Sequence, residues 1–336
     1  MGGSLTFDLE DKRLINEIDQ RKVKRVLIQL PEGLKAEGCR LAAIVEKAGA
    51  VAIISADPCY GACDLATLEA ETLGADLILH YGHTEITREN RVPIVYFEAR
   101  AKLDVKDAIM KAVSYLERWN SIGLTTIVQH IHVLDEAKNL LLDAGKAVAV
   151  GNTGRLKYAG QLIGCNYSNA QSVAKDVEAF LFVGGGRFHA LGLALATAKP
   201  TIVADPYEKR AYEIGSEVER VLKQRWACIC EARKAKEFGI LIGLKSGQRR
   251  VKEAMEIKGE LERNGKRAVL LAVREATPEV LMQFPSIDAF VNTACPRISL
   301  DDSSRFFKPV ILPNETSVTL GKMTWEELCK RGWFES

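Results

Sequence analysis

The chain has no run of apolar residues approaching the roughly 18 that a membrane span requires, which excludes a helix crossing the bilayer. Its opening, MGGSLTFDLEDKRLINE, has neither the basic nor the apolar region of a secretory signal, so a cytoplasmic location is expected. An excess of one charge is also missing. The 46 basic and 44 acidic residues leave a formal net charge of +2, which argues against a general binder of nucleic acid or of membrane surfaces. Aromatic residues are few, at 7%, and the 47% hydrophobic and 27% charged content is that of a soluble globular protein. The sequence contains no HExxH motif, no CxxxCxxC triplet, no Walker A loop and no low-complexity linker. No Ser-His-Asp arrangement can be assembled from it.

What is present is an internal repeat, since the same order of elements occurs three times across 336 residues. The first unit runs from KRVLIQL through the helix GLKAEGCRLAAIVEKAG to AVAIISADPCYGACD, ADLILHYGHTE and VPIVYFEAR. The second runs from GLTTIVQ through HVLDEAKNLLLDAG to AVAVGNTGRLKYAGQLIGC, FLFVGGGRFHALG and TIVADPYE. The third runs from EFGILIGLKSGQ through RRVKEAMEIKGELERNG to RAVLLAV, AFVNTACPRISLDD and PVILP. Each first strand is followed by a helix and a further Val-, Ile- and Leu-rich run, so the connections are crossovers and the sheets largely parallel. The expected architecture is α/β, with three similar small doubly wound domains around a pseudo-threefold centre, at residues 1–120, 121–236 and 237–336.

Eight cysteines in a reducing compartment point to metal binding or to simple packing rather than to disulfides. In parallel α/β sheets ligands collect beyond the carboxyl ends of the strands. Cys59, Cys165 and Cys295 sit in loops of that kind, one in each repeat. An ordinary buried cysteine is the alternative for each taken singly. Three converging thiolates suit a 4Fe-4S cluster with one iron open to substrate, or zinc completed by His83, His130, His132 or His189. Symmetry is imperfect, because Cys295 follows the third strand of its unit whereas Cys59 and Cys165 follow the second. Cys39 and Cys329 read as helix-core residues, and Cys228 and Cys230, two apart on a helix, cannot chelate one ion together. Cys63 reads either as a neighbour of the site or as a core residue.

Three further segments carry polar chemistry. Gly184, Gly185 and Gly186 lie between an apolar strand and a helix, where backbone N–H groups can hold a carboxylate or can simply make a tight turn. The loop LKSGQRR offers Lys245, Gln248 and Arg249 as donors around Gly247, or is a solvated helix start. Asp205 in DPYEKR can bond a ribose or amino group, or can cap local backbone.

The motifs LPEGL, DPCYGACD, HYGHT, GRLKYAGQLIGC, VGGGRFHALG, GLKSGQR and NTACPRIS together resemble the diphthamide-synthesis family in its archaeal form, the 2-(3-amino-3-carboxypropyl)histidine synthases. The resemblance runs nearly end to end. It implies that Cys59, Cys165 and Cys295 ligate a 4Fe-4S cluster and that S-adenosylmethionine binds beside its open iron. It also implies radical transfer of a 3-amino-3-carboxypropyl group to a histidine of translation elongation factor 2, and a homodimeric enzyme. Gly184, Gly185, Gly186, Asp205, Lys245 and Gln248 are then the candidate S-adenosylmethionine contacts. Quinolinate synthase, with three α/β repeats and one cluster cysteine from each, and a non-catalytic iron-sulfur or zinc scaffold are the alternatives. HYGHT and KYAGQLIGC favour the diphthamide enzyme.

Overall fold

The computed structural model describes residues 7–86 and 91–334; the first six residues of the segment expected to lack a leader lie outside it. The chain divides into two units, one comprising Met1–Asp104, Ile127–Val133 and Lys245–Gly247, the other Val105–Thr126, Leu134–Leu244 and Gln248–Ser336. Among the described residues no helix is long and apolar enough to cross a membrane.

The first unit carries a parallel sheet ordered Val51–Ile54, Arg25–Gln29, Leu77–Tyr81, Ile94–Phe97. Its central strands read RVLIQ and LILHY and are almost wholly buried, as a sheet covered on both faces requires. Side-chain alternation then sorts the helices. Val26, Ile28 and Leu79 point to the face where Leu41 and Val45 of the helix Gly38–Lys47 pack. Leu27 and Ile78 point to the opposite face, against Ala66 and Ala70. Leu41 and Val45 define the inner stripe of Gly38–Lys47, four residues apart, and Cys39 lies off it. Cys39, expected in the core, is therefore exposed.

The second unit carries two sheets. One is ordered Arg210–Glu213, Thr201–Asp205, Ala179–Val183, Ser121–Thr126, Ala147–Ala149 and the other Arg267–Val273, Glu237–Gly243, Ala289–Asn292, Val310–Ile311. The pairings are parallel except at Arg210–Glu213, an antiparallel edge strand too short for its sequence, RAYE, to have announced it. Counting along the chain, the parallel strands of the three larger sheets have the order second, first, third, fourth. The order therefore reverses between the first and third strands of each sheet, and a crevice opens there at the carboxyl ends.

The two sheets of the second unit are joined by the helix Gly215–Lys234. Its Arg225 is fully buried, donating from Nε to Glu315 Oε1 at 2.8 Å, from Nη1 to the Ser299 carbonyl at 2.7 Å and from Nη2 to the Val310 carbonyl at 3.0 Å. A second, bidentate contact from Nη2 reaches Glu315 Oε2. Glu315 also accepts from Leu312 N at 2.7 Å and from Trp333 Nε1 at 2.9 Å, so the carboxylate's lone pairs are well used. Removing one partner would strand the other's charge in a dry interior. Glu315→Ala is expected to lower the free energy of unfolding in urea by about 3–5 kcal/mol. The double replacement Arg225→Met with Glu315→Leu should lose distinctly less, and equal losses would contradict the pairing.

Candidate metal centre

Cys59 sits in the loop that follows Val51–Ile54, and both ends of that loop are fixed. Lys35 Nζ donates to the carbonyls of Ala56 at 2.7 Å and Asp57 at 3.0 Å. At the other end Lys245 Nζ lies 3.0 Å from Asp64 Oδ2 and 4.4 Å from the centre of the Tyr60 ring, and Gly247 N donates to the Cys63 carbonyl at 2.9 Å. A Cβ on residue 247 would stand 2.6 Å from Cys63 Cα, so only glycine permits this approach. Cys59 is 2% exposed. Burial, and after it the Asp64 carboxylate, pushes its thiol up to about 12, with Lys245 acting in the opposite direction.

The crevice of the same sheet supplies two imidazoles. Gln29, at the end of the first strand, donates from Nε2 to the Asp64 carbonyl at 2.7 Å and accepts from Ala66 N at 3.2 Å, which fixes its amide orientation. Its Oε1 lies 2.9 Å from His80 Nδ1, and His80 Nε2 lies 2.9 Å from His83 Nδ1. His80 therefore carries its proton on Nδ1 and accepts at Nε2 from the Nδ1–H of His83. Burial first, then the neighbouring His83, holds His80 well below the ordinary imidazole range. Burial likewise lowers His83 to about 4, opposed by a ring hydrogen bond to the Tyr81 carbonyl. Ligand atoms of Cys59, His80 and His83 lie within 4.8 Å of one another.

In the second unit Cys165 and Cys295 both lie within electrostatic reach of the Tyr167 hydroxyl. Tyr167 is 1% exposed, and burial above all, then the Cys165 thiol, raises it far above the ordinary phenol range. Its hydroxyl has no hydrogen-bond partner among the described residues. Cys295 caps the short helix Pro296–Leu300, where Pro296 at the first position favours helix entry. Asn292, at the end of the third strand, shapes this cap by donating to the Cys295 carbonyl at 2.8 Å and to Ser299 Oγ at 3.1 Å while accepting from Ala294 N at 3.0 Å. A cavity of about 430 Å³ reaches Cys165 and is lined also by Arg250, Glu253, Asn292, Asn314, Trp333 and Phe334. The side-chain Oδ1 of Asn314, one of these lining residues, accepts no hydrogen bond among the described residues.

The remaining candidates differ in what occupies them. Asp205 is buried and accepts from Tyr207 N at 2.9 Å and Glu208 N at 3.2 Å, so its carboxylate shapes the hairpin into the edge strand. Tyr207 lies over the glycine turn, where a Cβ on Gly185 would meet its ring at 2.7 Å; Gly184 is buried and Gly186 exposed. Gln248 is buried, its Cβ against Gly243, which also abuts Ala294 beside Cys295. Of the histidines considered as zinc ligands only His83 approaches a candidate cysteine among the groups found in the described residues. Reading the sequence missed His80, although its spacing from His83 in HYGHT was in view, and it missed Tyr167, for which no local motif gives a signal.

Residues 30–329 match the family described as "Putative diphthamide synthesis protein". The chain is 37% identical over 319 residues to the 2-(3-amino-3-carboxypropyl)histidine synthase of Pyrococcus horikoshii, covering 94% of this chain and 92% of that one. It is 30% identical over 326 residues to subunit 1 of the same synthase from Gallus gallus, covering 96% of this chain and 78% of that one. A solved structure described as Dph2 from Pyrococcus horikoshii with a 4Fe-4S cluster superposes with a TM-score of 0.88 at 36% identity, covering 98% of this chain and 95% of that one.

Thiolate, not thiol, is alkylated, and a thiol with a pKa near 12 is ionised in about one molecule in ten thousand at about pH 8. Cys59 in the metal-free chain should react with iodoacetamide at least ~100-fold more slowly than exposed Cys39, its rate climbing with pH up to about 12. Asp64→Asn removes the charge that opposes ionisation and should speed the reaction. Mass-spectrometric counting of modified peptides reads both, and equal rates at Cys59 and Cys39 would contradict the environment described.

Proposed function

Because the chain belongs to the diphthamide synthesis family, we propose that it is a 2-(3-amino-3-carboxypropyl)histidine synthase, carrying out the first step of diphthamide formation. In this reading it moves the 3-amino-3-carboxypropyl group of S-adenosylmethionine to the imidazole C2 of one histidine on translation elongation factor 2. The observation that carries it is the likeness over nearly the whole length to a structure described with a 4Fe-4S cluster, in a chain whose motif cysteines stand at strand carboxyl ends.

The residues present fit such a group. Cys59 is a buried thiol, and Cys165 and Cys295 both lie within electrostatic reach of the buried Tyr167 hydroxyl. Three cysteine ligands leave one iron open. We assign Cys59, Cys165 and Cys295 as the ligands and place the three sheets around a pseudo-threefold centre. When bound and reduced, the cluster supplies the electron that cleaves the sulfonium bond to the methionine γ-carbon, releasing methylthioadenosine.

The chain's own residues do the rest by positioning. Asn292 holds the backbone that presents Cys295, and Arg225 holds the Ser299 carbonyl of the same short helix, so this ligand is preorganised. The cavity beside Cys165 receives S-adenosylmethionine. Arg250 is the donor suited to its carboxylate, Asn314 Oδ1 the acceptor suited to an amino group, and Trp333 and Phe334 the apolar wall suited to its adenine. Gln248 and Lys245, which follow the first strand of the third sheet, are further candidate contacts of the same cosubstrate. Gly184–Gly186 and Asp205 serve the same cosubstrate less directly, through the turn that Tyr207 covers.

The decisive test is anaerobic: reconstitution with iron and sulfide, reduction with dithionite and addition of S-adenosylmethionine, followed by product analysis. Methylthioadenosine is expected, absent in Cys59→Ala; 5′-deoxyadenosine, or no cleavage with a cluster present, would overturn the reading in favour of a quinolinate-synthase-like enzyme or a passive scaffold. Asn314→Leu should weaken S-adenosylmethionine binding about 3- to 10-fold in calorimetry, the worth of one hydrogen bond, with cluster absorbance unchanged. Unchanged affinity would move the cosubstrate out of this cavity.

A further inference from the structure

We propose that Cys59, His80 and His83 form a mononuclear site for one borderline divalent cation, Zn²⁺ or Fe²⁺, that is filled when the 4Fe-4S cluster is absent. The donor atoms lie within 4.8 Å of one another. In a tetrahedral site with metal–sulfur and metal–nitrogen bonds of about 2.3 and 2.0 Å the donors stand about 3.5 Å apart. Side-chain rotations of about an ångström close the difference. One thiolate and two imidazoles form a mixed soft and borderline donor set, which selects zinc or ferrous iron over calcium or magnesium.

The hydrogen bonds around these residues are those of a prepared ligand pair. A metal-binding histidine keeps its tautomer by donating its other ring N–H to an oxygen. His80 already does this, from Nδ1 to Gln29 Oε1 at 2.9 Å, and Gln29 is itself held by the Asp64 carbonyl and Ala66 N. The Nε2 lone pair of His80 points at His83 Nδ1, 2.9 Å away. His83 has an alternative acceptor in the Tyr81 carbonyl. When the His83 ring N–H turns fully to that carbonyl, the Nε2 lone pair of His80 and the unprotonated ring nitrogen of His83 become available without leaving a buried N–H unsatisfied. The Cys59 thiol loses its proton to solvent as the metal–sulfur bond forms, and water takes the fourth position.

Cys59 serves both this ion and the cluster, so the two occupants exclude one another. That exclusion rests on the cluster reading above; binding of the single ion does not. A chain that has met zinc before iron and sulfide is therefore blocked from assembling the cluster until the zinc is withdrawn.

The test uses the full-length chain, purified anaerobically and freed of metal by chelation, titrated with Co²⁺ as the spectroscopic probe. One equivalent should give a thiolate-to-cobalt charge-transfer band together with the visible bands of four-coordinate cobalt, and Zn²⁺ should bleach them. Cys59→Ser, a change of one atom, should remove the charge-transfer band, and His83→Gln should weaken binding at least tenfold. The double variant Cys165→Ser with Cys295→Ser should keep the full spectrum. Absence of the band in the parent chain, its survival in Cys59→Ser or its loss in the double variant would each overturn the proposal. One equivalent of Zn²⁺ should then suppress cluster absorbance on reconstitution, reversed by chelator. Cluster formation undiminished by zinc, with the cobalt results as expected, would count against Cys59 as a cluster ligand and leave the mononuclear site standing.

Discussion

Where the first and third strands of a parallel sheet part, their carboxyl ends leave backbone and side-chain polar groups without sheet partners, and these need satisfying before the crevice can be dry. Each of the three sheets solves this with a side chain crossing the gap. Gln29 reaches His80 in the first, Thr126 Oγ1 donates to the Val183 carbonyl at 2.6 Å in the second, and Thr293 Oγ1 donates to the Leu241 carbonyl at 2.7 Å in the third. The candidate chemistry stands on these ties. His80 and His83 continue the first, the glycine turn Gly184–Gly186 extends from the second, and Cys295 follows two residues after Thr293.

A second layer holds those ends in place. Arg225 satisfies carbonyls on Ser299 and Val310 and is neutralised by Glu315, so one buried guanidinium fixes the helix behind Cys295, the strand Val310–Ile311 and the segment leading to Trp333. Polar groups buried at this density are costly unless all are paired. These polar groups fix the backbone behind Cys295 rather than packing within the apolar cores of the sheets. Cys59 is held by different means, a lysine clamp at each end of its loop, and the two solutions share the principle of fixing backbone rather than the thiol itself.

Much of this could be read from the sequence. The continuous apolar runs RVLIQ, LILHY and AFLFV are long enough, and sufficiently separated by helices, to announce parallel strands, and the threefold recurrence of the pattern matches the shared strand order. The edge strand Arg210–Glu213 escaped because four residues carry no periodicity, and Cys39 was misplaced because one apolar residue beside a stripe resembles one within it. The partners of Gln29 and Arg225 were invisible for another reason: they lie 51 and 90 residues away in the chain, and no local rule links such positions. Asp205 was legible as a residue of interest, and its place in a hairpin turn depended on the edge strand that had been missed.

The central claim is that three cysteines from the three repeats hold one cluster and leave one of its irons open. Mössbauer spectroscopy of the chain reconstituted with isotopically enriched iron tests it most directly. The account predicts a single 4Fe-4S cluster per chain in which one iron changes its spectrum when S-adenosylmethionine is added while the other three do not. Four irons that all stay unchanged on adding S-adenosylmethionine, or iron that assembles only as isolated ions, would contradict it.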